Sequence, residues 1–375
     1  MKRRALAGAE RADWLRLART PRVGPVTFAA LIERFGGAGE ALDALPGMAR
    51  RGGGAAPKIP PRESAEREIA AVEAMGGRVL AACEPDFPEG LAALDPPPPT
   101  IALIGGAHVL ARPCVAIVGA RNASAAGLRM ATMLARELGE AGYCVVSGMA
   151  RGIDGAAHQA ALPSGTAAVL AGGPDHIYPP EHDDLYSRIA AEGVVVSENA
   201  PGYRAGARDF PRRNRLVSGL SLGVVVVEAA QRSGTLITAR LAGEQGREVM
   251  AVPGSPLDPR AKGTNRLLRD GAALVETAQD VIDALSAARP IRAFEDGEDW
   301  GAAADEGASQ AEADAARDRI LELLSPAPTS RDELARLAGV RPAAAFAALM
   351  ELELAGRAEL LPGGMAVASY SESGV

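Results

Sequence analysis

The sequence contains few cysteines and few aromatic side chains, and each shortage excludes a class of protein. Its 375 residues include three cysteines, Cys83, Cys114 and Cys144, and no CxxC pair. A disulfide framework or a cysteine-ligated zinc site is therefore not expected, and a reducing compartment fits best. Aromatic residues form only 3% of the chain, so an aromatic side chain outside an apolar segment is informative.

Long apolar runs and cofactor motifs are also absent. No segment approaches the ~18 apolar residues that a membrane-spanning helix needs. The N-terminal sequence MKRRALAGAERADWL is basic but lacks the apolar stretch of a secretory signal. The dinucleotide-binding motif GxGxxG is missing. We therefore expect a cytoplasmic protein with no membrane partner, no metal and no cofactor.

The net charge of −7 is distributed unevenly along the chain. Residues 286–315 hold two Arg against eight Asp or Glu, a net of −6, whereas residues 112–285 hold 18 basic and 18 acidic side chains. Within that neutral part, residues 204–215 carry five Arg against one Asp. An anion-binding surface is therefore compatible with an acidic protein.

The middle of the chain has the pattern of an α/β domain. Continuous apolar segments such as CVAIVGA, YCVVSG, AAVLAG and LGVVVVEAA alternate with helical ones. Strands that are apolar on both faces are typical of a parallel sheet covered by helices on both sides. We predict an α/β fold over residues 76–285, a Rossmann-like parallel doubly wound sheet, with GGRVLAACE and TIALIGG as added strands.

The flanking segments predict two smaller domains and a linker. Residues 10–75 show helix, Gly-Pro turn, helix, Gly-Gly break and helix, an order similar to SAM-like or helix-hairpin-helix units. Residues 286–315 combine high charge with low hydrophobicity, which predicts an acidic flexible linker. Residues 316–372 show three helices and a hairpin with a Pro-Gly-Gly turn, the order of a winged helix.

The candidate site lies in the loops that follow the strands. Ligands of doubly wound sheets bind beyond the carboxyl ends of the strands, where loops lead into helix N-termini. Small residues, hydroxyls and arginines recur in these loops, a pattern that suits phosphate groups. The predicted nucleic-acid-binding residues are Gly119, Arg121, Ser124, Ser147, Gly148, Arg151, Arg208, Phe210, Arg213, Asn214, Arg215, Arg232, Ser233, Gly234, Thr235, Lys262 and Asn265.

The segment FPRRNR, residues 210–215, is the most basic of these stretches. Pro211 favours a rigid loop, and Phe210 offers a face on which a base can stack while arginines contact the backbone. Several phosphate contacts beside a stacking platform predict single-stranded nucleic acid. The alternative is a cluster of structural ion pairs with nearby acids such as Glu228, in which Arg213 and Arg215 would take part.

The loop SGMARGID combines a predicted anion nest with two structural residues. The backbone amides of Ser147, Gly148 and Gly152 have the freedom to surround an anion, with Arg151 beside them. Asp154 is placed to cap the following helix, and His158, four residues later, would face it. Ser147 does not lie in a GxSxG turn, so we interpret Asp154 and His158 as structural rather than catalytic.

The order and spacing of several motifs resemble one known family. VGARNAS, SGMARGIDGAAHQAAL, IYPPEH, FPRRNRLVSGLS, EAAQRSGTLITA and VPGSPLDPRAKGTNRLLRDGA are similar to those of the DNA-processing protein A family, DprA or Smf. The flanking units are similar to the SAM-like and DML1-type winged-helix domains of some members. A lysine found in some members three residues before the phenylalanine is Ala207 here, and Arg208 is its candidate substitute.

The resemblance implies a non-catalytic role. A member of this family would bind and protect single-stranded DNA during natural transformation, help to load the RecA recombinase, and form a homodimer through the Rossmann domain. By motif, Arg121, Phe210, Arg213, Asn214, Arg215 and the SGT loop would form the DNA pocket. Whether the organism is transformable, and where dimer and RecA surfaces lie, cannot be read from the sequence.

Two alternatives belong to other functional classes. Nucleoside monophosphate phosphoribohydrolases of the lonely-guy type have the signature PGGxGTxxE, but Thr238 occupies the glutamate position here. A winged-helix regulator of duplex DNA would need a basic recognition helix, whereas the segment after Arg341 contains Glu351 and Glu353. We expect this module to contact protein, or DNA only weakly. For the N-terminal unit, phosphate and protein contacts both remain open, and the linker is either a tether or a mimic of DNA.

Overall fold

The computed structural model describes residues 3–287 and 309–369. The chain forms two compact units. The terminal unit contains the N-terminal residues up to Arg67, the segment Asp95–Pro99 and the C-terminal winged helix. The central unit contains Glu68–Leu94 and the residues from Thr100 onwards that form the α/β domain. Within the described ranges, no helix has both the length and the apolarity needed to cross a bilayer.

The N-terminal part of the terminal unit is helical, as predicted. The first four helices of the chain are α1 (Gly8–Ala18), α2 (Pro25–Phe35), α3 (Ala38–Arg51) and α4 (Arg62–Ala74), and the first three lie wholly in this unit. Gly24 and Pro25 begin α2, because proline tolerates the first helical turn, where no backbone donor is required. Leu15, Phe28 and Leu45, from the first three helices, are buried together with Trp14, whose indole donates to Pro99 O (2.8 Å).

A nine-stranded sheet forms the middle layer of the central unit. Its strands are β1 (Gly77–Ala81), β2 (Thr100–Gly105), β3 (Cys114–Val118), β4 (Cys144–Ser147), β5 (Thr166–Leu170), β6 (Val194–Ser197), β7 (Gly223–Val226), β8 (Glu248–Ala251) and β9 (Ala273–Leu274). Their order in space is β1-β2-β6-β5-β4-β3-β7-β8-β9. Strands β3 to β9 are parallel, and β1 and β2 extend the sheet antiparallel. The predicted Rossmann-like sheet is confirmed.

Helices cover both faces of this sheet. The helices of the unit are α5 (Glu89–Ala92), α6 (Ala125–Glu140), α7 (Ile153–Ala161), α8 (Asp183–Glu192), α9 (Asp209–Leu220), α10 (Thr235–Glu244), α11 (Lys262–Arg269) and α12 (Ala278–Ala287). One core contains apolar residues of α5, α9 and α10, and the other contains residues of α6, α7 and α12. Strand residues alternate between the two cores, which explains their continuous apolar pattern. The three cysteines are buried, and none forms a disulfide within the part of the chain that the structure describes.

The C-terminal part of the terminal unit is a winged helix, as predicted. It comprises α13 (Gln310–Leu323), β10 (Thr329–Ser330), α14 (Arg331–Ala338), α15 (Pro342–Leu354), β11 (Ala358–Leu361) and β12 (Met365–Ala368). β11 and β12 form the predicted hairpin, to which β10 adds a short third strand.

The acidic segment predicted to be a linker overlaps this domain. Helix α13 begins at Gln310 because Ser309 caps it and Glu312 completes a capping box. The helix therefore begins inside the predicted 286–315 segment. Residues 288–308 of that segment lie outside the described residues.

Candidate nucleic-acid interface

The predicted loops meet at the carboxyl edge of the sheet, where the strand order reverses. The chain leaves β3 towards β4 on one side and returns to β7 on the other. In doubly wound sheets this reversal opens a crevice for ligands. Hydrogen bonds join the loops after β3 and β7: the Thr235 hydroxyl donates to Gly119 O (3.1 Å), and Glu228 accepts from Ser124 N (2.9 Å).

Ser124 has a structural contact that accounts for its position. It caps α6 by accepting from Gly127 N (2.9 Å), and its own hydroxyl donates to Glu228. Structural ion pairs were the alternative for the arginines of residues 210–215, and Arg215 does pair with an acid, Glu198. The acid named as the example, Glu228, is not their partner. The carboxylate is already engaged by the amide and hydroxyl of Ser124.

The SGT loop is held by its own hydroxyls. Ser233 Oγ lies 3.0 Å from Thr235 Oγ1 and accepts from Thr235 N (3.2 Å). Gly234 is exposed directly before α10, and Arg232 is exposed beside it. The loop therefore presents one cation and a helix N-terminus to solvent, while the hydroxyls of Ser233 and Thr235 fix its shape.

In the loop after β4, one amide of the predicted anion nest, that of Gly148, serves an internal carboxylate instead. Gly148 N and Ala150 N donate to Asp154 Oδ2 at 3.1 and 3.3 Å. The Ser147 hydroxyl is buried and donates to Ile117 O (2.6 Å). Gly148 is required for packing, since a Cβ there would lie within 3.0 Å of the Arg213 guanidinium.

Asp154 stabilises this loop from inside and does not cap the helix. The N-cap of α7 is Gly152, whose positive φ of 76° suits glycine, and Asp154 lies in the first turn. Burial raises the pKa of Asp154, while Arg213 and the amides of Ala150, Gly148 and Gly119 oppose that shift. The role is structural in a different way from the predicted one: the carboxylate organises the loop that precedes its helix.

His158 does not face Asp154, contrary to the prediction. Its Nδ1 lies 2.8 Å from Thr166 Oγ1. Because that hydroxyl donates to Val145 O (2.6 Å), Nδ1 is the donor in the pair. Burial, reinforced by nearby His182 and Arg213, lowers the pKa of His158 to about 3, so the ring is neutral at physiological pH.

The FPRRNR segment is helical and not a loop, contrary to the prediction. Helix α9 begins at Asp209, so Pro211 occupies its first turn, where the missing backbone donor costs no hydrogen bond. Asp209 accepts from Gly206 N (2.7 Å) and from the Tyr203 hydroxyl (3.0 Å), which folds the preceding loop against the helix. The helical spacing separates the arginines of this segment onto different faces.

Two of these arginines point inward and have structural partners. Arg213 is 7% exposed and donates to Val169 O, and burial lowers its pKa to about 10 against the opposing effect of Asp154. Arg215 is paired with Glu198. Asn214 is half-buried between them, and its carbonyl accepts from the Ser218 hydroxyl (3.2 Å). The structure thus withdraws Arg213 and Arg215 from the exposed surface.

Other cations near the reversal point are exposed and unpaired. Among the described residues, no carboxylate oxygen lies within 4.0 Å of the cationic atoms of six of them: Arg121, Arg204, Arg208, Arg212, Arg232 and Lys262. By contrast, Arg188, Arg240 and Arg266 on helix surfaces of the same unit each pair with an acid four residues later. The loops that follow the strands, and the first turns of α9 and α11, therefore carry unpaired positive charge.

An aromatic pair and an arginine form the centre of this surface. The Arg121 guanidinium lies 5.2 Å from the centroid of the Phe210 ring. The Tyr178 ring contacts Phe210 edge to face at 5.4 Å and is 42% exposed. Phe210 is the predicted stacking residue, whereas Tyr178 was missed, although the motif IYPPEH contains it. We name Arg121, Tyr178 and Phe210 the aromatic platform.

Three further predicted residues, Arg151, Asn265 and Lys262, lie outside the aromatic platform. Arg151 is exposed and paired with Glu181, which raises the pKa of the guanidinium and lowers that of the carboxyl. Asn265 exchanges hydrogen bonds with the backbone of Gly254 (2.8 and 3.2 Å), so its amide shapes a loop. Lys262 is exposed at the first position of α11.

Comparison with known proteins identifies the family. A profile of the family described as DNA recombination-mediator protein A matches residues 78–286, more than half of the chain. The chain belongs to this family. Two further profiles, described as the DprA-like N-terminal HHH domain and the DprA winged helix domain, match residues 8–71 and 304–364. Membership of this family gives the chain a role in DNA processing and recombination.

Relatives and solved structures agree with this assignment. The DNA processing protein DprA of Bacillus subtilis is 38% identical over 232 residues, 61% of this chain and 76% of the relative. Protein Smf of Escherichia coli is 36% identical over 311 residues, 81% of each chain. The X-ray structure of Streptococcus pneumoniae DprA has a TM-score of 0.60 and 31% identity, covering 76% of this chain and 98% of that one.

A second structure concerns DNA processing protein A of Helicobacter pylori and its single-stranded DNA binding mode. It has a TM-score of 0.52 and 31% identity, and it covers 56% of this chain and 95% of that one. The two DprA structures share with this chain the fold that brings the strand-end loops together.

Proposed function

We propose that this protein binds single-stranded DNA across the aromatic platform and the unpaired cations around it. The observation that carries the proposal is the position of Arg121 and Phe210 beside exposed Tyr178, with no carboxylate paired to Arg121, Arg208 or Arg212 among the described residues. Cations hold the phosphates, and aromatic faces accept the bases. The described DNA-binding mode of the Helicobacter pylori relative supports the same ligand.

Preference for single strands follows from the aromatic platform. Bases in a duplex are stacked on one another, so an aromatic side chain reaches a base face only when the strand is open. Arg121 covers the Phe210 ring in the free protein. DNA binding would therefore move that guanidinium from the ring towards a phosphate, or leave it stacked while a base uses the ring's other face.

We propose the more specific role of the protein from its family membership. The protein would protect incoming strands during transformation, help to load RecA onto them, and act as a homodimer through the central unit. We also propose that the role is non-catalytic. The Ser147 hydroxyl donates to a backbone carbonyl, His158 is neutral and engaged with Thr166, and Thr238, at the phosphoribohydrolase glutamate position, is 3% exposed in α10.

Fluorescence anisotropy with a labelled oligonucleotide tests the DNA-binding proposal. Single- and double-stranded forms are titrated over a salt series with the native protein and with Arg121→Ala, Phe210→Ala and Arg208→Ala. Phe210→Ala should weaken single-strand binding by about 1–3 kcal/mol, the usual contribution of one stacked base. Each arginine variant should lower the slope of log K against log salt by about 0.7.

Arg240→Ala is the matched control, because Arg240 is also exposed but is paired with Glu244 on the surface of α10. It should bind as the native protein does. Equal affinity for single and double strands, or equal losses in Arg240→Ala and Arg208→Ala, would contradict the proposal. Release of ribose phosphate from a nucleoside monophosphate would instead favour the hydrolase.

A further inference from the structure

The helix that enters the DNA groove in groove-reading winged helices is covered in this protein. Helix α15 occupies that position, and ten of its 13 residues are buried, including Glu351 and Glu353. Helices α13 and α14 contact α15 from within the winged helix, and α3 of the N-terminal helices also contacts it. A helix that is buried all round is a core helix and cannot contact a DNA groove.

Polar contacts make this N-terminal contact specific. Arg51 Nε donates to Glu351 Oε1 at 2.6 Å, and Arg317 Nε of α13 donates to Glu351 Oε2 at 3.0 Å. The Thr27 hydroxyl of α2 donates to Glu353. The buried carboxylates of α15 are therefore satisfied partly from the N-terminal helices and partly from the winged helix itself.

The backbones of the two parts approach closely at two glycines. A Cβ at Gly52 would lie within 3.0 Å of Glu351 O, and a Cβ at Gly54 would lie within 3.0 Å of Ala355 O. Arg22, from the turn between α1 and α2, also donates to Leu354 O. Such close packing needs complementary surfaces along the whole C-terminal half of α15.

The composition of α15 is that of a protein-contact helix. Between Pro342 and Leu354 it has no basic side chain, and apart from Pro342, Phe346 and two glutamates it consists of alanine, leucine and methionine. Cations supply most of a protein's affinity for DNA phosphates, and this segment has none. We propose that α15 is a docking surface whose partner is the N-terminal helical module of the same chain, and that the winged helix does not bind DNA through this helix. We call the contact between α15 and the N-terminal helices the clasp.

This clasp joins sequence segments that lie on either side of the central unit. The N-terminal and winged-helix segments match separate domain profiles, at residues 8–71 and 304–364. In the clasp they share a core, so that each covers apolar surface of the other. The inference is independent of the DNA-binding proposal, since none of its residues lies on the aromatic platform.

Hydrogen exchange of the full chain, comparing Gly52→Ala with Gly39→Ala, tests the clasp. Gly52 has right-handed backbone angles (φ −67°, ψ −1°), so alanine is tolerated locally and the clash falls on Glu351 O. Gly39 lies in the same helix, and the nearest atom to its added Cβ is Asp13 Oδ2 at 3.8 Å. We expect amide exchange in residues 342–354 to become about tenfold faster or more in Gly52→Ala and to stay unchanged in Gly39→Ala.

A second pair of variants tests the clasp without adding an atom to a crowded position, in case Gly52→Ala misfolds. Arg51→Ala removes a partner of Glu351, whereas the neighbouring Arg50 is exposed and unpaired among the described residues, so Arg50→Ala is its control. Faster exchange in α15 for Arg51→Ala alone would support the clasp. Native exchange rates in α15 for both Gly52→Ala and Arg51→Ala would overturn it. A gain of duplex affinity in Gly52→Ala would also overturn it, because α15 would then be a masked DNA reader.

Discussion

Arginine serves opposite purposes in the two units. In the central unit, Arg208 and Arg212 are exposed and have no carboxylate partner among the described residues. In the terminal unit, Arg51 and Arg317 converge on the buried carboxylate of Glu351. The first arrangement leaves positive charge available to a ligand, whereas the second neutralises it inside a protein contact. The presence of an acid partner, and not the number of arginines, therefore distinguishes a binding surface from a structural contact.

The same contrast recurs between two neighbours in α9. Arg212 is exposed and unpaired in the described structure, whereas Arg213 is buried beneath the loop after β4, near Asp154. One residue of helix rotation turns a side chain by about 100°, which is enough to separate solvent from core. Replacing Arg212 and Arg213 separately by methionine tests this contrast between an exposed and a buried arginine.

The largest expected effect is on stability, in Arg213→Met. Loss of the guanidinium removes the donor to Val169 O and the charge that offsets buried Asp154. We expect the free energy of unfolding of the central unit to fall by roughly 2–4 kcal/mol. Hydrogen exchange in β5 measures this loss.

Arg212→Met is the matched control for that measurement. It should leave exchange in β5 unchanged but weaken single-strand binding and its salt dependence. If Arg213→Met kept native exchange rates and lost only DNA affinity, Arg213 would be a ligand-binding residue and the contrast within α9 would be wrong.

The next effect is the pH dependence of the terminal unit. Burial raises the pKa of Glu353 to about 7, against the opposing bonds from Thr27 and Leu360 N and with a small contribution from Glu359. The folded protein therefore retains a proton that the unfolded chain loses near pH 4.5. Between pH 4.5 and about pH 7, the free energy of unfolding of the terminal unit therefore falls as pH rises, by up to about 3 kcal/mol.

Glu353→Gln should abolish this loss and stabilise the unit above pH 7. Urea unfolding followed by Trp14 emission, in a background with Trp300→Phe, reports on the terminal unit because Trp14 is buried there. Glu322→Gln is the control, since Glu322 is exposed and does not contribute to the pKa shift of Glu353. Equal slopes of stability against pH in the native protein and in Glu353→Gln would refute the assignment.

The smallest effect concerns the residue that sequence reasoning missed. Tyr178→Ala should weaken single-strand binding by about 1 kcal/mol, because Tyr178 supplies an exposed ring at the edge of Phe210. Tyr178→Phe keeps the ring and should bind like the native protein. If both variants lost affinity equally, the hydroxyl and not the ring would be the contact, and the aromatic platform would consist of Arg121 and Phe210 alone.

Much of the fold was predictable because its signals are local. Continuous apolar strands such as CVVS and GVVV indicated a parallel sheet, and the Gly-Pro turn at residues 24–25 indicated the start of α2. The start of α13 was placed too late because the capping box at Ser309 and Glu312 lies within an otherwise acidic, polar segment.

The candidate site was predictable only in part. Arg121 and Phe210 follow strand ends, where function is expected in this fold, and the structure brings them together. Tyr178 is distant in sequence from both and carries no charge, so no local pattern assigned it. The loop after β4 looked like an anion nest because glycine permits that geometry, but Asp154 already accepts from the Gly148 amide.

The sequence alone determined the class of fold, the concentration of arginine in residues 204–215 and the lack of cations in α15, because composition and periodicity are properties of the chain. Only the tertiary structure decided which arginines are free and what covers α15. Residues distant in sequence supply those partners: Val169 for Arg213, Glu198 for Arg215 and Arg51 for Glu351. Because these partners are distant in sequence, the residues next to each arginine or glutamate do not indicate which partner it binds.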